Sequence, residues 1–392
     1  MQKKFKYVII FSVIIMHVIG LIAEYNPFHN GHLYQIKKIK EKYPDSIIIG
    51  VISSSFTQRG DISILNKWDK TKIALDNGLD IVIELPFVYS TQGADIFAKG
   101  AITILEKLKI DTLVFGTESE SIDNIKSLAE IQINNKNYDK LVKKYLNTGV
   151  NYATALNKAL KELTGQEINT PNDLLALSYI KKLLEDSSKI ELLNIPRTTS
   201  YHGEDIKDNI TSASYIRKLL KEGKDVSPFL PYSPCILLKT DINNIFNYLK
   251  YKIIIEEQRI NKYQTVDEGI ENRIIKAIDR VSSYDELITK VKTKRYTYSK
   301  ISRMLLHILT NFTKEEASII NIDYLRLLGF TTKGRDYLNK IKKEIDIPII
   351  TSYQKNLSLT LDIELHISKI YSLLTGYDIT KREYQKKPII KK

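Results

Sequence analysis

His29-Asn30-Gly31-His32 sets two imidazoles on either side of a glycine, directly after an apolar run and directly before a lysine-rich amphipathic segment. A β-type run, a Pro-containing turn and a helix start, in that order, place both rings and several free backbone N–H groups at one helix N-terminus. The helix dipole and the unsatisfied donors there favour a phosphate, and Gly31 lets the backbone approach it without a side chain in the way. The chemistry that suits these residue types is nucleotidyl transfer. Attack on the α-phosphate of ATP builds charge on non-bridging oxygens, and donors already in place stabilise it. An exposed turn carrying two histidines by chance is the bland alternative, and the strand before and helix after the tetrad argue against it.

A second constellation lies far along the chain. Ile210-Thr211-Ser212-Ala213-Ser214-Tyr215-Ile216-Arg217 has the form of a Ser-rich loop opening a helix. The hydroxyls of Ser212 and Ser214 would cradle the β- and γ-phosphates, with Arg217 one turn in as a fork-shaped donor. An ordinary Ser/Thr-capped helix is the simpler reading of the same residues. Arg197 stands at the end of an apolar run, and Gly116 follows another, where a glycine lets an adenine or ribose lie against the backbone. Asn172, in Thr170-Pro171-Asn172-Asp173, reads as a helix N-cap.

These groups need a frame that brings them together. A first strand beginning at Met16–Gly20 leads into the tetrad, and a helix over Leu33–Tyr43 follows. An apolar, β-branched strand over Ser46–Ile52 comes next. Its C-terminal loop, Ser53-Ser54-Ser55-Phe56-Thr57-Gln58-Arg59-Gly60-Asp61, offers Arg59 as a substrate or phosphate partner. Helix Lys67–Asn77, a short strand closed by Pro86, helix Ala94–Leu108 and strand Thr112–Phe115 continue the alternation. A helical stretch from 122 to 184 precedes strand Ile190–Ile195. Strands and helices alternating at this spacing predict a parallel, doubly wound α/β sheet with ligand contacts at the strands' C-terminal ends.

The 392 residues carry 43% hydrophobic and 27% charged residues, the balance of a globular protein with no low-complexity block. One cysteine, Cys235, excludes an intramolecular disulfide and any Cys-based zinc site and suits a reducing, cytoplasmic setting. The net charge is +13, and residues 291–392 hold 20 Lys and Arg against 10 Asp and Glu. That asymmetry suits a polyanion on the C-terminal part, although a merely solvated lysine-rich surface would read the same way. The Pro-rich patch 227–234 marks a boundary. It divides a catalytic domain, 16–226, from a basic, mainly α-helical domain, 235–392. There Lys294, Arg295, Tyr296 and Arg303 interleave bases with aromatics, a mix that neutralises phosphates and stacks unpaired nucleobases. Further basic clusters lie in Tyr324–Phe330, at Lys333-Gly334-Arg335, and in the tail at Lys381, Arg382, Lys386 and Lys387.

Lys3, Lys4 and Lys6 ahead of the run Tyr7–Ala23 imitate a signal peptide or anchor. The run leads straight into the tetrad without a cleavage pattern. Translation is expected to start at Met16, with residues 1–15 no part of the native protein and no stable membrane association. Peptides upstream of Met16 in mass spectrometry of the native protein would refute this.

The tetrad resembles the HxGH signature of the nucleotidyltransferase superfamily, and the longer string EYNPFHNGHLYQI resembles the bacterial tRNA(Met) cytidine acetate ligase family. FGTE, the Ser-rich helix start, KRYTY, YLRLLGF and KGR match that family in order, so the resemblance runs from about Met16 to the C-terminus. The loop after the second strand is similar to the family's SGNFVQRG, with Ser54 and Ser55 in place of Gly and Asn. The resemblance implies a Rossmann-like nucleotidyltransferase fold. It also implies an ATP site built from Ile22, Ala23, Glu24, Tyr25, Asn26, Pro27, Phe28, His29, Asn30, Gly31, His32, Leu33, Tyr34 and Gln35, with Gly116, Asn172 and Arg197. His29, His32 and Arg217 would be catalytic. The implied reaction activates acetate with ATP and acetylates the wobble cytidine of elongator tRNA(Met); Mg²⁺ with the ATP is expected from the polyphosphate chemistry. No carboxylate cluster in the sequence marks protein ligands for a metal. A different adenylyltransferase acting on a small acceptor, or a non-catalytic RNA-binding protein on the same fold, are the rival expectations.

Overall fold

The computed structural model describes residues 16–197, 205–238, 242–385 and 387–392. The expected extension 1–15, and Lys386, lie outside the described residues. Eight strands form the sheet: β1 (Val18–Ala23), β2 (Ile47–Ser53), β3 (Ile81–Leu85), β4 (Thr112–Thr117), β5 (Glu191–Pro196), β6 (Leu325–Thr331), β7 (Ile349–Ile350) and β8 (Ile389–Lys391). Their lateral order is β5-β4-β1-β2-β3-β6-β7, with β8 paired to β6. The first five pair in parallel. From β1 the chain winds one way through β2 and β3, then returns to β1's other side through β4 and β5. The order therefore reverses between β1 and β4, and the crevice outside the C-terminal ends of these strands is where such a sheet binds ligands.

Burial follows from sequence. β2, Ile-Ile-Ile-Gly-Val-Ile-Ser, is buried along its whole length, as an apolar strand covered by helices on both faces must be. One helix layer packs Leu105, Ile102 and Phe97 against one face, and the other packs Ile36, Ile39 and Trp68 against the opposite face. Helix Ala94–Lys107 and helix Lys67–Asp76 lie within a residue of the expected bounds. Two differences matter for the site. The first helix starts at Asn30, three residues before the expected Leu33, because the histidines themselves cap it. β4 runs on to Thr117, so Gly116 lies within the strand rather than after it.

The second half of the chain is mainly helical but does not form a separate body. Phe246, Leu249, Tyr263, Ile274, Leu287 and Met304 build a helical core of their own. The chain then returns to the sheet as β6, antiparallel to β3 with Val82 opposite Gly329. The basic reading of Tyr324–Phe330 is corrected accordingly. This segment is a buried strand, and Arg326 is an internal cation paired with Glu383 at 3.2 Å. Lys67 joins the same buried network, 2.7 Å from Glu84 and 2.7 Å from Glu383. Glu364, on helix Leu359–Thr375, accepts from the Ser54 hydroxyl at 2.7 Å and the Phe87 N–H at 2.7 Å. Lys67 and Arg326 with the carboxylates of Glu84 and Glu383 thus join helix, sheet and C-terminal return through charges that must stay paired once out of water.

Candidate active site

β1 ends at Ala23, and the turn that follows is built on apolar anchors. Tyr25, at φ +47°, and Phe28 are buried, with ring centroids 4.8 Å apart. The Tyr25 ring meets the His32 ring edge-on at 4.9 Å. This clamp fixes where helix Asn30–Lys42 starts. His29 is its N-cap, and the two imidazoles supply a reciprocal cap. The Gly31 N–H donates to His29 Nδ1 at 3.0 Å, and the His29 N–H donates to His32 Nδ1 at 3.1 Å. The His32 and Leu33 N–H groups donate to the His29 carbonyl at 2.9 and 3.2 Å. The expected free backbone donors are therefore largely spent within the turn. What the motif offers outward is a pair of side-chain donors. Each Nδ1 accepts a proton's bond, so the neutral ring carries its proton on Nε2.

Electrostatics enforce that state. Burial, with the Arg197 and Arg217 guanidiniums nearby, pulls His29 down to about 3. Burial, His29 and Arg197 hold His32 well below its usual value. The ring centroids stand 3.9 Å apart, a spacing two imidazolium ions would not tolerate without a counter-charge. Gly31 is required by this geometry. A Cβ there would stand 2.7 Å from His29 Cε1 and 2.9 Å from Nδ1.

The second constellation meets the first. Asn30 Nδ2 donates to the Asn209 carbonyl at 3.0 Å and to the Pro228 carbonyl at 2.9 Å. The Tyr232 hydroxyl donates to the Phe28 carbonyl at 2.9 Å. The Pro-rich patch is therefore a strut against the histidine turn. Ser212 caps helix Ala213–Lys221, accepting from the Tyr215 N–H at 3.2 Å, with Ser214 Oγ 3.0 Å away. The simple capping role is thus real. Arg217 NH1 donates to the Asn26 carbonyl at 2.7 Å, and NH2 stands 3.7 Å from Asp61 Oδ2.

Arg197 follows β5, its N–H donating to the Thr117 carbonyl at 2.9 Å. Gly116 beside it is not demanded by packing: a Cβ would find only ordinary contacts, 3.8 Å from Arg197 Cγ and from the Ile195 carbonyl oxygen. Asn172 is not the cap it was expected to be. Thr170 is the N-cap of helix Pro171–Glu185, because Pro171 takes the first helical position. Asn172 instead donates through Nδ2 to Glu118 Oε1 at 2.6 Å. Glu118 Oε2 accepts the Asn172 and Asp173 N–H groups at 3.1 and 3.2 Å, and Asp173 answers by accepting from the Glu118 N–H at 2.9 Å. Sequence reasoning missed Glu118 as an orienting group; an acid after a strand end, opposite a Pro-led helix start, was the signal for it. It also missed Lys70, which is wholly buried under the site and donates to the Ser53 and Ser54 carbonyls at 2.8 and 3.1 Å. Burial, opposed by Glu24, draws the Lys70 ammonium down to about 7.

The residues expected to meet RNA fare differently. Lys294 is exposed, and Arg295 is ion-paired with Glu268. Tyr296 is a core residue whose hydroxyl donates to the Asp267 carbonyl at 2.7 Å, so its ring offers no stacking platform. Arg303 NH1 donates to the Gln58 carbonyl at 3.0 Å, an internal contact. Among the described residues no group of three or more His, Cys, Asp and Glu is placed to hold a metal ion, and no helix is long and apolar enough to cross a membrane.

A family model described as HIGH Nucleotidyl Transferase matches residues 16–387. A tRNA(Met) cytidine acetate ligase of Clostridium kluyveri is 38% identical over 404 residues, covering 96% of this chain and 99% of the relative. One of Fusobacterium nucleatum is 39% identical over 343 residues, covering 83% and 85%. The apo crystal structure of Thermotoga maritima TmcAL matches with a TM-score of 0.88 at 29% identity, over 96% of this chain and 99% of that one. A structure of the same protein bound with alpha-thio ATP matches with a TM-score of 0.86 at 28% identity, over the same shares of the two chains. With an imidazole pair at the switch point of the sheet and these likenesses along almost the whole chain, the protein belongs to the HIGH nucleotidyl transferases and, among them, to the tRNA(Met) cytidine acetate ligase family.

Proposed function

We propose that this ligase activates acetate with ATP and transfers the acetyl group to the N4 amine of the wobble cytidine of elongator tRNA(Met), leaving N4-acetylcytidine. In the first step a carboxylate oxygen of acetate attacks the α-phosphorus and the bond to the bridging oxygen breaks. The products are acetyl-adenylate and pyrophosphate. In the second, the cytidine amine attacks the acetyl carbon, AMP leaves, and the amine's proton passes to solvent. Acetate is already ionised at neutral pH, so positioning and charge stabilisation suffice for the first step.

The observation that carries this reading is the pair of imidazoles that cap one helix start, with the Arg197 and Arg217 guanidiniums near His29. Both Nδ1 atoms are occupied by backbone donors, leaving two Nε2–H groups for phosphate oxygens. Ile22 through Gln35 would line the triphosphate and Gly116 the adenosine. Asn172 and Arg197 would be further contacts, and Ser212, Ser214 and Arg217 would hold the β- and γ-phosphates. Mg²⁺ would arrive on the phosphates of ATP. The basic C-terminal half would present the tRNA.

Acetate-dependent ATP–pyrophosphate exchange without tRNA, followed by acetyl transfer to tRNA(Met), tests the proposal. Exchange only with another acceptor would favour a different adenylyltransferase, and no exchange at all a non-catalytic RNA-binding protein. His32→Ala is expected to abolish exchange while leaving tRNA affinity nearly intact; loss of tRNA binding alone would overturn this division of labour.

A further inference from the structure

Gln58, on the loop after β2, is gripped from both sides. Its N–H donates to Glu24 Oε1 at 2.5 Å and its carbonyl accepts from Arg303 NH1 at 3.0 Å. Glu24 is the first residue after β1 and leads into the turn of His29 and His32. Arg303 lies on helix Tyr298–Leu309, which contributes Met304 to the helical core. Two residues beyond Gln58 the loop presses on that helix again. At Gly60, φ +85°, a Cβ would stand 2.8 Å from the Arg303 nitrogen. The same loop then reaches back to the site. Asp61 faces Arg217 at 3.7 Å, and the Ile64 N–H donates to Asn26 Oδ1 at 2.9 Å. The Arg303 guanidinium thus makes an internal contact, ending on the main chain of a residue that touches the active-site turn.

We propose that Arg303 is a positioning residue for adenylate formation, acting through the Gln58 main chain on Glu24 and so on the turn that carries His29 and His32. Engaging both the N–H and the carbonyl of one residue fixes its backbone orientation, and the two bonds polarise one another. A shift of about 1 Å in a reacting geometry costs on the order of a hundredfold in rate, so a remote donor can govern the step without touching substrate. The consequence is that seating of the helical core, the part that would hold RNA, is felt at the phosphate site. This rests on the ligase reading above.

The test uses the full chain with Arg303→Ala and Arg303→Lys. Acetate-dependent exchange is measured without tRNA, with affinity for a non-hydrolysable ATP analogue and tRNA binding over a salt series. Arg303→Ala is expected to lower exchange by about tenfold or more and to weaken the analogue, with tRNA affinity and its salt slope unchanged. Arg303→Lys should recover part of the exchange, because an ammonium can still donate to the Gln58 carbonyl. Wild-type exchange in Arg303→Ala, with weaker tRNA binding and a salt slope reduced by about one, would make Arg303 an RNA contact and overturn the proposal. Equal loss in both variants together with a lost cooperative melt would reduce it to general stability and overturn it too. Should the wild type itself show no acetate-dependent exchange, the ligase reading fails first. The analogue then decides the relay: weaker binding in Arg303→Ala supports it, and unchanged binding overturns it.

Discussion

A histidine whose Nδ1 accepts a backbone N–H cannot carry a proton on that nitrogen, and in this turn both histidines are so placed. The cost appears in the pH dependence of stability. His29 titrates at about 3 in the folded chain and near 6.5 once unfolded; His32 is shifted the same way. Above 6.5 neither state binds the protons and the shift contributes nothing. As pH falls below 6.5 the unfolded chain takes them up while the folded chain does not, so stability is lost progressively toward the folded values. One unit below 6.5 the loss is about 1.4 kcal/mol for each histidine. Denaturant titrations of the wild type and His29→Asn at about pH 7.5 and about pH 5.5 check this: groups common to both cancel, and the variant should lose about 1.4 kcal/mol less on acidification. An unchanged difference in the variant would mean that the imidazole titrates normally. The residue types and their spacing were legible in the sequence, including the phosphate chemistry they suit. Their hydrogen-bond roles were not, because a spacing of three residues says that two rings share a helix turn, not that they cap it and consume its donors.

At the scale of elements, the turn works because Gly31 leaves space for His29 to fold back. Gly31→Ala should displace that ring, since its Cβ would lie 2.7 Å from Cε1. The expected outcome is a fall in acetate-dependent exchange of about tenfold or more with a cooperative melt retained. Full activity would show that the ring does not need its observed place. The buried charges between helix Lys67–Asp76, β6 and helix Leu359–Thr375 make a second prediction at this scale. Lys67 stands between Glu84 and Glu383, so Lys67→Met leaves buried carboxylates facing one another and should cost about 3–5 kcal/mol. Burial and Glu84 push the Glu364 carboxyl up to about 8, so it is protonated at neutral pH. Glu364→Gln keeps an acceptor for the Phe87 N–H and puts its amide beside the Ser54 hydroxyl, which can accept as well as donate, and should cost under about 1 kcal/mol. Chemical denaturation of both variants checks the contrast; equal costs would mean that Glu364 is ionised. Alternation and apolar runs predicted β2, β4 and β5 to within two residues, and β3 was read three residues too early. β6 was read as a basic patch because Arg326 is a cation in sequence, and only tertiary pairing with Glu383 shows it to be internal.

For the whole molecule, a count of cations overstates the surface available to a polyanion. Residues 291–392 carry twice as many basic as acidic side chains, yet Arg326 is buried, Arg303 is spent on Gln58, Arg295 is held by Glu268, and Lys333 donates to the Asp45 and Ser46 carbonyls. Lys292 and Lys294 are exposed on the segment that leads into helix Tyr298–Leu309. If that face meets the tRNA backbone, each lysine neutralises a phosphate and releases its condensed counterions. Lys292→Ala with Lys294→Ala should then lower affinity and flatten the slope of log affinity against log salt by about one to two. Neither change touches the histidine turn, so tRNA-free exchange should stay at the wild-type rate. An unchanged slope would move the RNA face to another part of the helical half. A fall in tRNA-free exchange would mean that this segment reaches the active site by the route proposed for Arg303, and the two faces of helix Tyr298–Leu309 would then act as one.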